Sequence, residues 1–187
     1  MIEVKDLKKS FDGKEVLKGI TTSYEPGKTN LIIGQSGSGK TVMLKTLLGV
    51  HTPDSGQILF DGRDFATLDA NEKRSLRTEI GMVFQGSALF DSMNVEENIA
   101  FPLKMFTSKN NVDIRNRVQE VIERVNLKDA NKKMPSELSG GMQKRVAIAR
   151  AIVNNPKYLF CDEPNSGLDP KTSVVIYVIK SSITIDA

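Results

Sequence analysis

Residues 34–41, Gly-Gln-Ser-Gly-Ser-Gly-Lys-Thr, carry the spacing G-x-x-x-x-G-K-[ST] between the apolar run "LIIG" and the helix-forming segment "VMLKTLLG". Every residue type there has a use against a polyphosphate. Gly34, Gly37 and Gly39, alternating with Gln35, Ser36 and Ser38, let the backbone wrap an anion closely. The N–H groups that open the following helix point at that anion with the positive end of the helix dipole. Lys40 is long enough to reach β- and γ-phosphates, and the Thr41 hydroxyl is a hard oxygen ligand suited to Mg²⁺. A Gly-rich turn beside a surface lysine is the bland alternative, which the flanking strand and helix patterns argue against. A second constellation is "YLFCDE", an apolar run ending in Asp162 and Glu163. Hydrolysis of a nucleotide needs one acid on the metal shell and one group that orients water, both at the C-terminal edge of a parallel sheet. Successive side chains on a strand diverge, which gives Asp162 the metal shell and Glu163 the water. Alone, "DEP" at a strand end is a polar exit to a turn; beside a phosphate loop it takes on the catalytic reading. Cys161, inside the apolar run, is expected to be a small core residue.

These groups need a sheet and helices to hold them. "IEVKDL", "VLKGITTSY" and "KTNLIIG" are predicted strands, with Asp12-Gly13 and Pro26-Gly27 as turn signals. "GQILFDGRD" adds an alternating strand running into Asp61-Gly62, and "IGMVFQ" a fully apolar one. From about residue 90 the period changes to helical in "NVEENIAFPLKMF", "VDIRNRVQEVIERVNL" and "GMQKRVAIARAIV", the last stopped by Asn154-Asn155-Pro156. Strands framing a helical block predict an α/β core with a helical insertion. That last helix opens on Ser139, Gly140 and Gly141. Ser139 suffices as an N-cap, but two successive glycines weaken a helix and imply that something approaches its first N–H groups closely.

Composition narrows the class. A chain of 187 residues with 39% hydrophobic and 26% charged residues can bury a core, and a net charge of +3 with no basic block gives no footprint for nucleic acid. One cysteine makes no internal disulfide, the start "MIEVKDLKKS" lacks a signal-peptide core, and no apolar run reaches membrane-spanning length. The expectation is a cytoplasmic protein whose membrane role, if any, comes through a partner.

The phosphate loop, "LSGGM", "LFCDEP" and "SGLD", in that order, resemble the ATP-binding-cassette (ABC) transporter ATPases, over nearly the whole chain to about Val175. The resemblance implies an α/β P-loop NTPase core with an antiparallel β subdomain and an inserted helical subdomain. As one ABC domain over 1–187, core and β subdomain would take about 1–86 and 152–187, and the helical subdomain about 87–151. It implies ATP and Mg²⁺ as ligands, with Lys40 and Glu163 catalytic. Gln85, closing "IGMVFQ", matches the glutamine that senses Mg²⁺ and the permease; a polar residue ending a strand is its alternative. Phe11 matches the aromatic that stacks on adenine, a core or surface phenylalanine being the alternative. Ser139, Gly140 and Gly141 match the helix start that caps the γ-phosphate of ATP held by the other subunit of a dimer, and Asp169 matches a loop at the dimer interface. The implied partners are a membrane permease and a second ATP-binding subunit at the cytoplasmic face of the inner membrane. "GSALFDSMNVEENIAFPL", "KKMPSELSGGM" and "EPNSGLDPKTS" are similar to the ATPases of phospholipid-trafficking, maintenance-of-lipid-asymmetry systems, which adds a lipid-binding envelope protein as a partner. An ABC ATPase for another solute is the runner-up.

The family pattern continues after "SGLDP" through a helix, a strand and a histidine that contacts the γ-phosphate, whereas here the only histidine is His51, in the turn "GVHTPDSG". His51 is expected in a solvated turn. The β-branched tail "VVIYVIKSSITIDA" departs from the family's amphipathic helix. The expectation is a truncated or frameshifted product with weak hydrolysis; a short natural variant is the alternative.

Overall fold

The computed structural model describes residues 1–162. Glu163, Asp169 and the tail from Val174 onward therefore lie outside the described residues. Asp12-Gly13 joins β1 (Ile2–Phe11) to β2 (Lys14–Tyr24), and both turn residues take positive φ, 48° and 76°. That is the type I′ geometry, whose twist matches the strands it connects. Asp61-Gly62 repeats it between β3 (Ser55–Phe60) and β4 (Arg63–Asp64). The four strands make one antiparallel sheet in the order β2-β1-β3-β4. Its apolar positions Ile2, Val4, Leu7, Leu17, Ile58 and Phe60 are buried, as are Met43, Leu44 and Leu47 on α1 (Lys40–Leu47).

Contacts divide the chain into residues 1–73 and a second unit that begins at Arg74, the boundary falling inside α2 (Ala70–Thr78). In the second unit β5 (Ile80–Val83) and β6 (Tyr158–Cys161) run parallel, with Val83 opposite Cys161. Among the described residues it also holds the α-helices α3 (Val95–Phe106), α4 (Asn111–Arg124) and α5 (Gly140–Ile152). Their apolar stripes meet in one core containing Val83, Ile99, Leu103, Val121, Ile122 and Val146, with Cys161 partly buried against it. The helix ends are chemically closed. Asn94 and Glu97 exchange side-chain and backbone bonds of 2.9 Å at the start of α3, and Asn110 accepts from the Val112 and Asp113 N–H groups at the start of α4. At the end of α5, Arg117 donates to the carbonyls of Ile152 and Val153, at 3.3 and 2.9 Å, which the helix itself leaves without donors.

One predicted strand is not there. Residues 29–34, the "TNLIIG" before the phosphate loop, pair with no strand among the described residues, and Leu31 and Ile33 are 78% and 84% exposed. An apolar run has the propensity of a buried strand, but a strand exists only where a neighbour supplies its hydrogen bonds.

Candidate functional site

Gly39 is the N-cap of α1 and sits at φ +95°. A Cβ there would strain the backbone and meet Val16 Cγ1 at 3.0 Å, so glycine is required both by conformation and by the approach of β2. Gly34 faces a similar limit from its own loop, since a Cβ would come within 2.5 Å of Ser38 Oγ. A glycine N-cap offers no side chain to the first-turn N–H groups, and no acidic residue stands in that turn. N–H groups at such a helix start can receive an anion from outside the chain. Lys40 Nζ lies across the loop, donating to the carbonyls of Gly34 at 2.8 Å and Gln35 at 2.9 Å. Gln35, Ser36, Gly37, Ser38 and Thr41 are all exposed.

Phe11 ends β1 at the hairpin tip, opposite Lys14, and is 38% exposed. Val16, which touches the start of α1, is two residues along β2 from Lys14. At about 3.3 Å per strand residue and about 5 Å between strands, Phe11 stands within roughly 10 Å of that contact. His51 does not sit in open solvent. Its ring packs edge-on against Phe11, with centroids 5.2 Å apart and planes at 73°.

In the second unit the parallel pair brings Gln85 and Asp162 to one edge. Asp162 follows β6 and donates its N–H to the Val83 carbonyl at 2.9 Å, while Gln85 leaves the end of β5 two residues past Val83. The Gln85 amide and the Asp162 carboxylate both offer hard oxygen donors. No group of three or more His, Cys, Asp or Glu residues able to hold a metal occurs among the described residues. Such oxygens suit Mg²⁺, which takes one or two protein ligands and completes its shell with phosphate and water.

Two residues that sequence reasoning passed over hold the loop after Gln85. Ser87 and Ala88 adopt φ of 61° and 47°, a conformation costly for non-glycine residues. Their carbonyls accept from Arg150 Nη2 and Nη1 at 3.0 and 2.9 Å, and the same guanidinium stands 5.5 Å from the Phe90 ring. Burial pulls the Arg150 pKa below the ordinary arginine value. Asn98, fully buried, accepts from the Phe90 N–H and donates to the carbonyls of Phe90, Met93 and Asn94. A polar residue inside the apolar stripe of α3, between Val95 and Ile99, was the signal available in the sequence.

At the start of α5, Ser139 accepts from the Met142 N–H at 3.3 Å, as an N-cap should. Gly140 has no positive φ, and a Cβ on it would meet nothing within 4 Å. The fold of this chain therefore makes no demand for glycine at Gly140, and Ser139 and Gly140 lie exposed.

A family model described as ABC transporter matches residues 17–166. The chain belongs to the ABC transporter family. It is 46% identical over 169 residues to the probable ribonucleotide transport ATP-binding protein mkl of Mycobacterium leprae, covering 90% of this chain and 49% of that one. It is 41% identical over 173 residues to the methionine import ATP-binding protein MetN of Clostridium acetobutylicum, covering 92% and 54%. The chain thus spans about half the length of these relatives. Among solved structures it superposes with a TM-score of 0.90, at 32% identity, on the dimeric bacterial ABC transporter cassette MJ0796, covering 98% of this chain and 83% of that one. The cassette cbiO1 from Clostridium perfringens, part of the transporter complex cbiONQ, gives a TM-score of 0.85 at 32% identity, covering 98% and 73%. The fold is accordingly the α/β P-loop fold of an ABC ATPase cassette.

Proposed function

We propose that this chain binds and hydrolyses ATP as one of two like subunits on a membrane permease, at the cytoplasmic face of the inner membrane, and that the transporter moves phospholipid across the cell envelope with a lipid-binding envelope protein as a further partner. The observation that carries the nucleotide part is the cradle at Gly34–Thr41, where a left-handed glycine cap and a lysine lying over the loop await an anion. Its backbone takes the phosphates and Lys40 turns from the loop carbonyls to the β- and γ-phosphates. Phe11 stacks on the adenine. By their residue types Thr41, in the phosphate loop, and Gln85 and Asp162, beside the parallel pair, are each suited to Mg²⁺, which would supply positive charge to the phosphate oxygens. Glu163, outside the described residues, orients the attacking water for in-line displacement. The open space over Gly140 suits approach of a γ-phosphate bound to a second copy, with Ser139 and Gly141 beside it. Consistent with this pairing, MJ0796 has been solved as a dimer and in a post-hydrolysis state bound to ADP and Pi. Lys40→Ala tests the cradle: ATP affinity, read by fluorescent-nucleotide titration, should fall about ten- to a hundredfold, the scale of hydrogen bonds to a charged group. An unchanged affinity refutes the assignment.

Next to Gln85, Phe84, Phe90, Phe101 and Phe106 with Arg77 line a groove, Phe84 and Phe90 being exposed. Exposed aromatics of this kind mark contact surfaces, and continuity with the Gln85 loop supports reading the groove as the seat of a cytoplasmic segment of the permease. No described helix is long and apolar enough to cross a membrane. The lipid assignment rests on "GSALFDSMNVEENIAFPL", "KKMPSELSGGM" and "EPNSGLDPKTS". The relative named for methionine import favours a second reading, a small polar solute. Reconstitution with the permease in liposomes separates them: ATP-dependent transfer of labelled phospholipid that stops in Lys40→Ala supports the first, methionine uptake the second.

A further inference from the structure

We propose that His51 is a positioning residue for the base of the nucleotide, holding the partly exposed Phe11 ring in one orientation for the purine. The inference rests on the reading of Phe11 as the adenine platform. α1 starts at the phosphate loop and ends in a turn that reaches Phe11. There the Val50 and His51 N–H groups return to the Lys45 carbonyl at 2.9 and 3.3 Å, fixing the direction in which His51 leaves the helix. The turn is then tied to the strand carrying Phe11. The Asp54 N–H donates to the Lys8 carbonyl at 2.9 Å, and the Asp54 carboxylate accepts from Lys9 Nζ at 2.8 Å and from the Ser10 N–H at 2.6 Å. Lys9 Nζ also stands 5.3 Å from the Phe11 centroid. Phe11, at a hairpin tip with 38% of its surface exposed, has two free torsions and would otherwise sample several rotamers. The T-shaped contact with the imidazole, with centroids 5.2 Å apart and planes at 73°, restricts that freedom while Phe11 stays 38% exposed. A stacking platform held in place loses less entropy when the base arrives, which turns a packing contact into affinity and into preference for a nucleotide over bare polyphosphate.

The test uses the full chain and two probes, ATP and inorganic tripolyphosphate, the second having no base. His51→Ala should weaken ATP about three- to tenfold, the worth of one aromatic pair, and leave tripolyphosphate unchanged. His51→Phe, which keeps an aromatic edge at the site, should recover ATP affinity, and Phe11→Ala/His51→Ala should bind ATP no worse than Phe11→Ala alone. If Phe11→Ala binds ATP like the parent, the adenine platform itself is refuted. If Phe11→Ala weakens ATP while His51→Ala does not, the role of His51 alone falls. Equal weakening of both probes in His51→Ala, or no recovery in His51→Phe, also overturns it.

Discussion

Replacing Asn98 should show how much the loop after Gln85 depends on one buried amide. The side chain is fully buried, its Oδ1 accepts from Phe90 N at 2.9 Å, and its Nδ2 serves three carbonyls at 2.8 to 3.1 Å. Two amide hydrogens shared among three acceptors, with one acceptor role, amount to about three hydrogen bonds, each worth about 0.5–1.5 kcal/mol net. Phe90 is 39% exposed, so part of the loop can take water instead, and Asn98→Ala should cost about 2–3 kcal/mol. For a chain of this size that lowers Tm by about 4–12 °C. Asn98→Asp sharpens the test. An ionised carboxylate still accepts from Phe90 N but faces three carbonyl oxygens with nothing to donate, so burial and these dipoles raise the pKa of the introduced carboxyl in the folded state. A raised folded pKa means that its stabilising contribution is present at low pH and lost as pH rises through that value. Asn98→Asp should therefore be no more stable than Asn98→Ala at pH 8 and should gain on it at pH 5, as read by thermal melts. A Tm for Asn98→Ala within a degree of the parent, or a more stable Asn98→Asp at pH 8, would refute the reasoning.

Arg150→Lys keeps the charge but not the fork that reaches two carbonyls, and should cost about 1–3 kcal/mol, read as a lower urea midpoint; an unchanged midpoint removes Arg150 from the loop's support. From the proposed pairing of the α5 start with the nucleotide of a second copy, Glu163→Gln should self-associate with ATP and Mg²⁺ and stay monomeric without them in light scattering; a monomer that demonstrably binds ATP contradicts the pairing. The hydrogen bonds of Asp54 with Lys9 and the Ser10 N–H hold its carboxyl below the ordinary aspartate range. A depressed folded pKa contributes stability at neutral pH that disappears as pH falls, so the Tm gap between the parent and Asp54→Asn should close between pH 6 and pH 3.

Much of this protein was legible because the information is short-range. Asp12-Gly13 and Asp61-Gly62 specify type I′ turns through residues that tolerate positive φ, and Asn94 and Asn110 announce the helices that they cap. The phosphate loop is one contiguous segment whose glycines, lysine and threonine stand in their working order along the chain. α2 escaped notice because "ANEKRSLRT" carries only one buried position, Leu76, too little to declare an apolar face. What tertiary structure alone decided depends on pairs far apart in sequence. Gln85 and Asp162 share an edge because β5 and β6 lie in parallel register, and no local spacing encodes a neighbour from 77 residues away. Arg150 looks like an ordinary helix position, and Asn98 only like a polar break in an apolar stripe, until the loop after Gln85 folds onto them and presents carbonyls that need donors. His51 becomes more than a turn residue only when Asp54 ties its turn to the end of β1. Residues 29–34 make the reverse case, since their apolar sequence promises a strand while strand structure is conferred by partners that the described residues do not place beside them.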